Sequence, residues 1–237
     1  MLIFGISKSG FAGSFGILSV PLMALVIPPA QAAAIMLPLL CVMDAGAVWA
    51  YRRTWDRANM RILLPAGLLG VLAGMLGFRY ISADGLKLIL GLIALGFIAY
   101  RWLRRAQVRP APRSAAKGLF WGTLSGLTSF IAHSGGPPVN IYLLPQRLAP
   151  AQLIGTTVMF FTVLNLAKLL PYAWLGLFST ENIATSLALA PAGLLGVAMG
   201  LWVRQHVNEV LFYRLMYGFL GLTGLKLLWD AGRGFLG

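Results

Sequence analysis

The sequence predicts an all-α membrane protein of about eight transmembrane helices, arranged as two tandem four-helix repeats whose first and fifth helices are broken. Of the 237 residues, 59% are apolar and only 11% are charged, and the mean hydropathy is +0.81. A water-soluble domain carries about 25% charged residues, so this surface suits lipid rather than water. A seven-residue segment that occurs twice indicates the repeats.

Uncharged runs, separated by basic clusters or by turns rich in proline and glycine, define the helices. A transmembrane helix needs about 20 residues, so eight of them use nearly the whole chain and leave no room for a soluble catalytic domain. The fourth and eighth spans rely on lysines and arginines whose charged ends reach the membrane interface. The eight predicted spans are 2–26, 31–51, 60–80, 84–103, 116–144, 151–173, 182–203 and 208–229.

The repeats follow from two segments that recur without change. The heptapeptide at 65–71 is identical to 191–197, and the tripeptide at 29–31 is identical to 150–152. Chance can supply the tripeptide but hardly the heptapeptide, and a duplicated unit is typical of secondary transporters. The predicted division is a first transmembrane repeat in 1–103, a basic linker rich in proline and arginine in 104–115, and a second transmembrane repeat in 116–237.

The repeat also bears on the N-terminus. A longer apolar helix precedes His133 than precedes Lys8, so symmetry favours a start codon upstream of Met1. The early apolar run followed by 30–32 imitates a signal peptide with its cleavage site. However, it lacks a basic head, and the supposed cleavage site overlaps a repeated tripeptide. This segment is therefore interpreted as part of the fold.

Basic residues indicate the topology. The formal net charge is +13, concentrated between apolar segments, which predicts orientation in a membrane rather than nucleic-acid binding. The loops 51–61 and 101–117 are separated by two spans, so the positive-inside rule places both in the cytoplasm. Full crossing of the first and fifth spans would give parallel repeats and re-entry would give inverted ones, and the sequence leaves both open.

The first and fifth segments are interrupted at membrane depth. Pro137 and Pro138 should end one half-helix and begin another, because proline removes a backbone donor and clashes with the preceding turn. Irregular backbone in a membrane is tolerated only where it is buried in protein or lines a cavity. The free amides and dipole of a half-helix N-terminus favour an anion. The alternative is that these residues merely kink packed helices.

Polar residues within the apolar spans predict a pocket for a small oxyanion. An ionisable residue at a helix centre costs about 2.5–3.5 kcal/mol on insertion scales, so each should face a cavity or a partner. Asp44 or His133 is a candidate for proton coupling, while Asn165 could instead join helices and Lys168 could reach the interface. The candidate substrate-binding residues are Lys8, Ser9, His133, Ser134, Gly135, Gly136, Asn140, Asn165, Lys168 and Tyr172.

No enzyme is predicted. The chain lacks paired carboxylates, a His/Glu metal spacing, a nucleophile elbow and a phosphate loop. Cys41 is the only cysteine, which excludes an intramolecular disulfide and a thiolate metal cluster. We therefore expect no metal and no cofactor.

Several motifs resemble the sulfite exporter TauE/SafE family of bacterial membrane transporters, across essentially the whole chain. They are HSGGPPV at 133–139, YLLPQRL at 142–148, Asn165 with Lys168, Pro171-Tyr172, GLTGLKLLWD at 221–230, and in the first half KSGFAG at 8–13, VPL at 20–22 and YRR at 51–53.

The resemblance implies a multi-pass permease of the bacterial inner membrane that exports sulfite, sulfonates or related sulfur-containing anions. Its expected partners are this small anion and the lipid bilayer, and a homo-oligomer is left open. An inside-negative potential supplies about 2.3 kcal/mol per charge per 100 mV, so anion export needs no separate energy source. The alternative is a channel-like or scaffolding membrane subunit without its own transport cycle.

Overall fold

The computed structural model describes residues 5, 16–103, 111–203 and 209–236, and within these ranges the chain is helical and contains no strand. One short 3₁₀ turn covers Leu144–Gln146. The helices are α1 (Gly16–Met23), α2 (Pro29–Tyr51), α3 (Arg57–Phe78), α4 (Ala83–Leu103), α5 (Ala115–Ala132), α6 (Gly136–Leu143), α7 (Pro150–Trp174), α8 (Thr180–Val203) and α9 (Glu209–Leu236).

Helix starts follow from local chemistry. The two copies of the repeated tripeptide open α2 and α7, each with proline at the first helical position, where its missing N–H leaves no bond unmade. Asp56 caps α3 by accepting a hydrogen bond from Asn59 N at 2.6 Å. Ser114 caps α5 by accepting from Lys117 N at 3.4 Å.

Five of the described helices are long and apolar enough to cross a membrane, so the chain is an all-helical membrane protein. The outer surface agrees with this composition, because apolar side chains of α3 are exposed there, such as Leu69 (54% exposed) and Leu76 (55% exposed). The spans are Pro29–Tyr51, Arg57–Phe78, Ala83–Tyr100, Pro150–Trp174 and Thr180–Met199. The count of eight helices and the four-plus-four repeat stay predictions.

Helices α3 and α5 pack in parallel at very close range. A side chain at Gly70 would overlap the backbone at Thr123, and one at Gly126 would overlap Gly67 O. Glycine is therefore required at both positions, because only its missing Cβ lets two helix backbones come this near. Gly67 and Gly70 belong to the first copy of the repeated heptapeptide, so that motif serves helix packing.

Polar contacts between chain segments define the two ends of the helix bundle. At one end, called here the basic end, Gln152 Nε2 donates to Asp56 Oδ2 at 3.3 Å and Asn59 Nδ2 donates to Gln146 Oε1 at 2.8 Å. At the opposite end, Gln31 Nε2 donates to Asn182 Oδ1 at 3.1 Å. The start of α3, the end of α6 and the start of α7 therefore lie together, away from the starts of α2 and α8.

Helices α5 and α6 form a hairpin that begins and ends at the basic end. Ala111 N, before α5, donates to Pro145 O, after α6, at 2.9 Å. Further along, a side chain at Gly118 would meet the Tyr142 ring. The chain therefore enters along α5, turns between Ala132 and Gly136, and returns along the shorter α6 to the end from which it came.

Candidate functional site

Lys168 lies fully buried on α7 and points at the tip of the α5–α6 hairpin. Its side chain is 0% exposed, so the surrounding helices enclose it completely. The ammonium group lies 3.0 Å from Ser129 O, 3.0 Å from Ser129 Oγ and 2.9 Å from His133 Nδ1. Each of these atoms can accept a hydrogen bond from an ammonium group, so they hold the charge against the hairpin tip.

His133 ends α5 in the left-handed conformation, with a φ of 50°. The turn is held by His133 N donating to Ser129 O at 3.1 Å and Ser134 N donating to Thr128 O at 3.2 Å. This bonding resembles the usual glycine-type helix end. The left-handed conformation costs a residue other than glycine about 1–2 kcal/mol. The imidazole ring is therefore present at a position where glycine would have the lower conformational energy.

The contacts of His133 determine its tautomer. Nε2 lies 2.9 Å from Ala33 O of α2, and a carbonyl oxygen can only accept, so Nε2 carries the proton. Nδ1 then offers its lone pair to the Lys168 ammonium group, 2.9 Å away. In this conformation His133 is a neutral bridge between α2 and Lys168.

The turn between α5 and α6 is itself well bonded. Ser134 Oγ donates to Ala132 O at 3.0 Å, and Ser125 Oγ donates to Gly135 O at 2.6 Å. Helix α6 begins at Gly136, and the next two residues are prolines without N–H groups. Its first turn therefore offers the Gly136 amide and the helix dipole to an anion, rather than the usual full set of free donors.

Asp44 and Asn165 meet between α2 and α7. Asn165 Nδ2 donates to Asp44 Oδ2 at 2.7 Å, and both side chains are buried. The contact gives Asn165 the interhelical role that the sequence left open. Asn165 is three residues before Lys168 on the same helix, so the two side chains lie on one face.

Tyr172 supports the same region from one turn further along α7. Its hydroxyl donates to Phe130 O at 2.6 Å, and its side chain is 0% exposed. The Tyr172 and His133 rings are 6.1 Å apart between centroids. The hydroxyl thus donates to a carbonyl in the last turn of α5, where the carbonyl groups of a helix have no N–H partner within the helix.

The structure brings most but not all of the predicted site residues together. His133, Ser134, Gly135 and Gly136 form the hairpin tip against Lys168. Asn140 is only half-buried on α6, and within the described residues its Oδ1 has no hydrogen-bond partner. The predicted residues Lys8 and Ser9 lie outside the described residues.

Sequence reasoning missed two partners of the buried charges. Ser129 supplies two acceptors to Lys168. Its position four residues before His133 places both residues on one face at the end of α5, which was a usable signal. The Ala33 carbonyl that fixes His133 comes from a different helix through its backbone, and no residue type marks it.

The polar groups of this site come from lysine, histidine, serine and tyrosine side chains. Within the described residues, no three histidine, cysteine, aspartate or glutamate side chains lie close enough to hold a metal ion. The site combines a buried ammonium group, an imidazole and hydroxyl groups, and in this conformation Lys168, Ser134 and Tyr172 donate to acceptors of the protein itself.

Comparison with known proteins agrees with the motifs found in the sequence. The family model described as sulfite exporter TauE/SafE matches residues 1–227. No curated protein matches the chain, and no solved structure does so. The match covers nearly the whole chain, including every helix that forms the site. The chain therefore belongs to the sulfite exporter TauE/SafE family, a family of membrane transporters.

Proposed function

We propose that this protein exports small sulfur-containing oxyanions, such as sulfite or a sulfonate, through a site at the tip of the α5–α6 hairpin. The buried ammonium group of Lys168, held against His133 at 2.9 Å, carries the proposal, because a charge inside a membrane protein marks a substrate or ion pathway. The proposed binding residues are Lys8, Ser9, His133, Ser134, Gly135, Gly136, Asn140, Asn165, Lys168 and Tyr172.

The site would lie between two repeats of inverted orientation. The hairpin supports inversion, because a re-entrant fifth segment leaves an odd number of crossings in each half. Equivalent contacts support a two-fold relation. A side chain at Gly5 would overlap Gly193 O as one at Gly126 would overlap Gly67 O, and 67 and 193 are matching positions of the heptapeptide.

Inverted repeats that meet near the membrane centre are the arrangement of many secondary transporters. We place the basic end in the cytoplasm, because it carries the arginines of 52–61 together with Arg113, Lys117 and Arg147. An anion leaving from that end moves down an inside-negative potential. Export in this orientation is therefore favourable without a second ion.

Protonation of His133 would couple protons to the anion. A proton on Nδ1 takes the lone pair that now accepts from Lys168, so one ammonium N–H is released towards a ligand. Lys168 and Tyr172 of α7 face the ring, Ala33 O holds Nε2, and Asp44 lies further along α2. Proton binding and anion binding would then favour each other.

The main test measures anion flux into proteoliposomes that hold the wild-type protein or a Lys168→Met variant. Sulfite, a sulfonate, sulfate and chloride are compared, with the current recorded on rapid exposure. Methionine keeps the length of the side chain and removes the charge, so we expect flux of a sulfur oxyanion to be lost while the protein stays folded. Lys226→Met is the matched control, because that lysine is 57% exposed on α9.

A second variant separates the role of the ring from folding. His133→Gly removes the imidazole but suits the left-handed backbone at this position, so the fold should be retained. In the wild type we expect anion flux at a fixed anion concentration to rise as the pH is lowered, and in His133→Gly this rise should be absent. An unchanged pH profile would reject coupling through His133, and full flux in Lys168→Met would reject the site.

A further inference from the structure

A groove at the basic end of α3 has no part in the proposed anion site. Its volume is about 550 Å³, and six residues line it: Trp55, Arg57, Met60, Arg61, Leu64 and Pro65. The wall is apolar except for the two arginines. Pockets for small organic ligands have volumes of about 300–1,000 Å³, so the groove is large enough to hold part of a lipid molecule.

The two arginines are placed to bind phosphate. Arg57 and Arg61 are exposed and four residues apart, so they are neighbours on one face of α3. The Arg57 guanidinium lies 5.7 Å from the centre of the Trp55 ring, which limits its movement by cation–π attraction. Guanidinium groups bind phosphate oxygens in pairs of hydrogen bonds.

The nearby acid is engaged elsewhere. Asp56 accepts from Asn59 N at 2.6 Å and from Gln152 at 3.3 Å, and it lies 3.9 Å from Arg113. In the part of the chain that the structure describes, the ion pairs at this end do not include Arg57 or Arg61. Their positive charge is therefore available to a ligand.

The groove continues onto an exposed apolar surface. Beyond Pro65, α3 exposes Leu68 (40%) and Leu72 (47%). Trp49, 73% exposed at the same end of the bundle, is the residue type that marks the membrane interface. A molecule that binds here thus meets positive charge at the headgroup level and apolar side chains at the acyl-chain level.

We propose that this groove binds an anionic phospholipid, with its phosphate on Arg57 and Arg61 and an acyl chain along Met60, Leu64 and Pro65. Basic pockets at the ends of transmembrane helices bind anionic headgroups in this way. The proposal is independent of the transported substrate, because the groove shares no residue with the hairpin tip. A soluble phosphate would use the arginines but leave the apolar wall unfilled.

The test is native mass spectrometry of the purified full-length protein with phosphatidylglycerol and phosphatidylcholine at equal concentration. Each arginine near an anionic headgroup contributes about fivefold in affinity, so we expect phosphatidylglycerol to be retained about 25-fold more strongly by the wild type than by Arg57→Gln/Arg61→Gln. Arg52→Gln/Arg53→Gln is the matched control, since it removes the same charge from two residues that precede Arg57 in the sequence and do not line the groove.

Two results would overturn the proposal. One is equal retention of phosphatidylglycerol and phosphatidylcholine by the wild type. The other is an equal loss of selectivity for phosphatidylglycerol in both double variants, which would show that the lipid responds to positive charge in general and not to the groove. A second measurement does not depend on these variants. Phosphatidylglycerol with brominated acyl chains should quench the fluorescence of Trp55, and this component of the quenching should disappear in Trp55→Phe. Inorganic phosphate added at the same concentration should leave the quenching unchanged, and its loss would show that phosphate alone occupies the groove.

Discussion

A single serine, Ser129, supplies two acceptors to the ammonium group of Lys168. Ser129→Ala would remove the hydroxyl and leave the carbonyl of the same residue. A hydrogen bond to a charged group contributes about 1.5–3 kcal/mol, so we expect the free energy of unfolding to fall by about 2 kcal/mol, measured by denaturation in detergent micelles. Thr185→Ala removes a hydroxyl that bonds within its own helix at a more exposed site, and it should change stability much less.

The Asp44–Asn165 contact provides a second test at the level of single residues. Asn165→Asp would bring two buried carboxylates within hydrogen-bond distance. A hydrogen bond to a charged group contributes about 1.5–3 kcal/mol, and two carboxylates at this distance cannot both stay ionised, so we expect the free energy of unfolding to fall by about 2–3 kcal/mol. The exchange Asp44→Asn/Asn165→Asp restores one donor and one acceptor, and it should recover most of the stability. A double variant as unstable as the single one would contradict the pairing.

Close packing of α3 on α5 gives a prediction for whole elements. Gly126→Ala would place a methyl group into the backbone of Gly67, and overpacking costs about 1–3 kcal/mol even against movable side chains. We expect a loss of about 3 kcal/mol in the free energy of unfolding and separation of the hairpin from α3. The control is Gly96→Ala in α4, where no atom lies within 4 Å of the new methyl group. It should be neutral or slightly stabilising.

Some of these elements could be predicted from the sequence because their signals are local. The starts of α2 and α7 follow from proline at the first helical position. The break before α6 follows from Pro137 and Pro138, which lack backbone N–H groups. The return of α6 to the basic end has no local signal. It depends on the contact between Ala111 and Pro145, a backbone bond between two loops, and hydropathy cannot distinguish such a hairpin from one long span.

Within the site, too, some features have a local signal in the sequence and others do not. Lys168 and His133 stand out because charge in an apolar span is costly. Their contact at 2.9 Å needs α7 to lie against the hairpin tip, and a helix with apolar residues on all sides does not show which face it buries.

At the scale of the whole molecule, the proposed inverted repeats predict on which side of the membrane three loops lie. In a Cys41→Ala background, single cysteines replace Pro112 before α5, Ala149 after α6 and Ser179 before α8, all exposed positions. A membrane-impermeant thiol reagent should label 112 and 149 from the same side, which we expect to be the cytoplasm, and 179 from the other. Labelling of 112 and 149 from opposite sides would mean that the fifth segment crosses completely and that the repeats are parallel.

The hydrogen bond between Asp44 and Asn165 has a consequence for the history of the chain. With the proposed repeats, these positions are equivalent, so a homodimer of one ancestral unit would present the same residue twice. Two aspartates would repel each other, and only after gene duplication and fusion could one copy become the donor and the other the acceptor. At this pair of positions the fused chain thus carries a negative charge in the first half and a neutral amide in the second, and inward-open and outward-open states need not have equal energy.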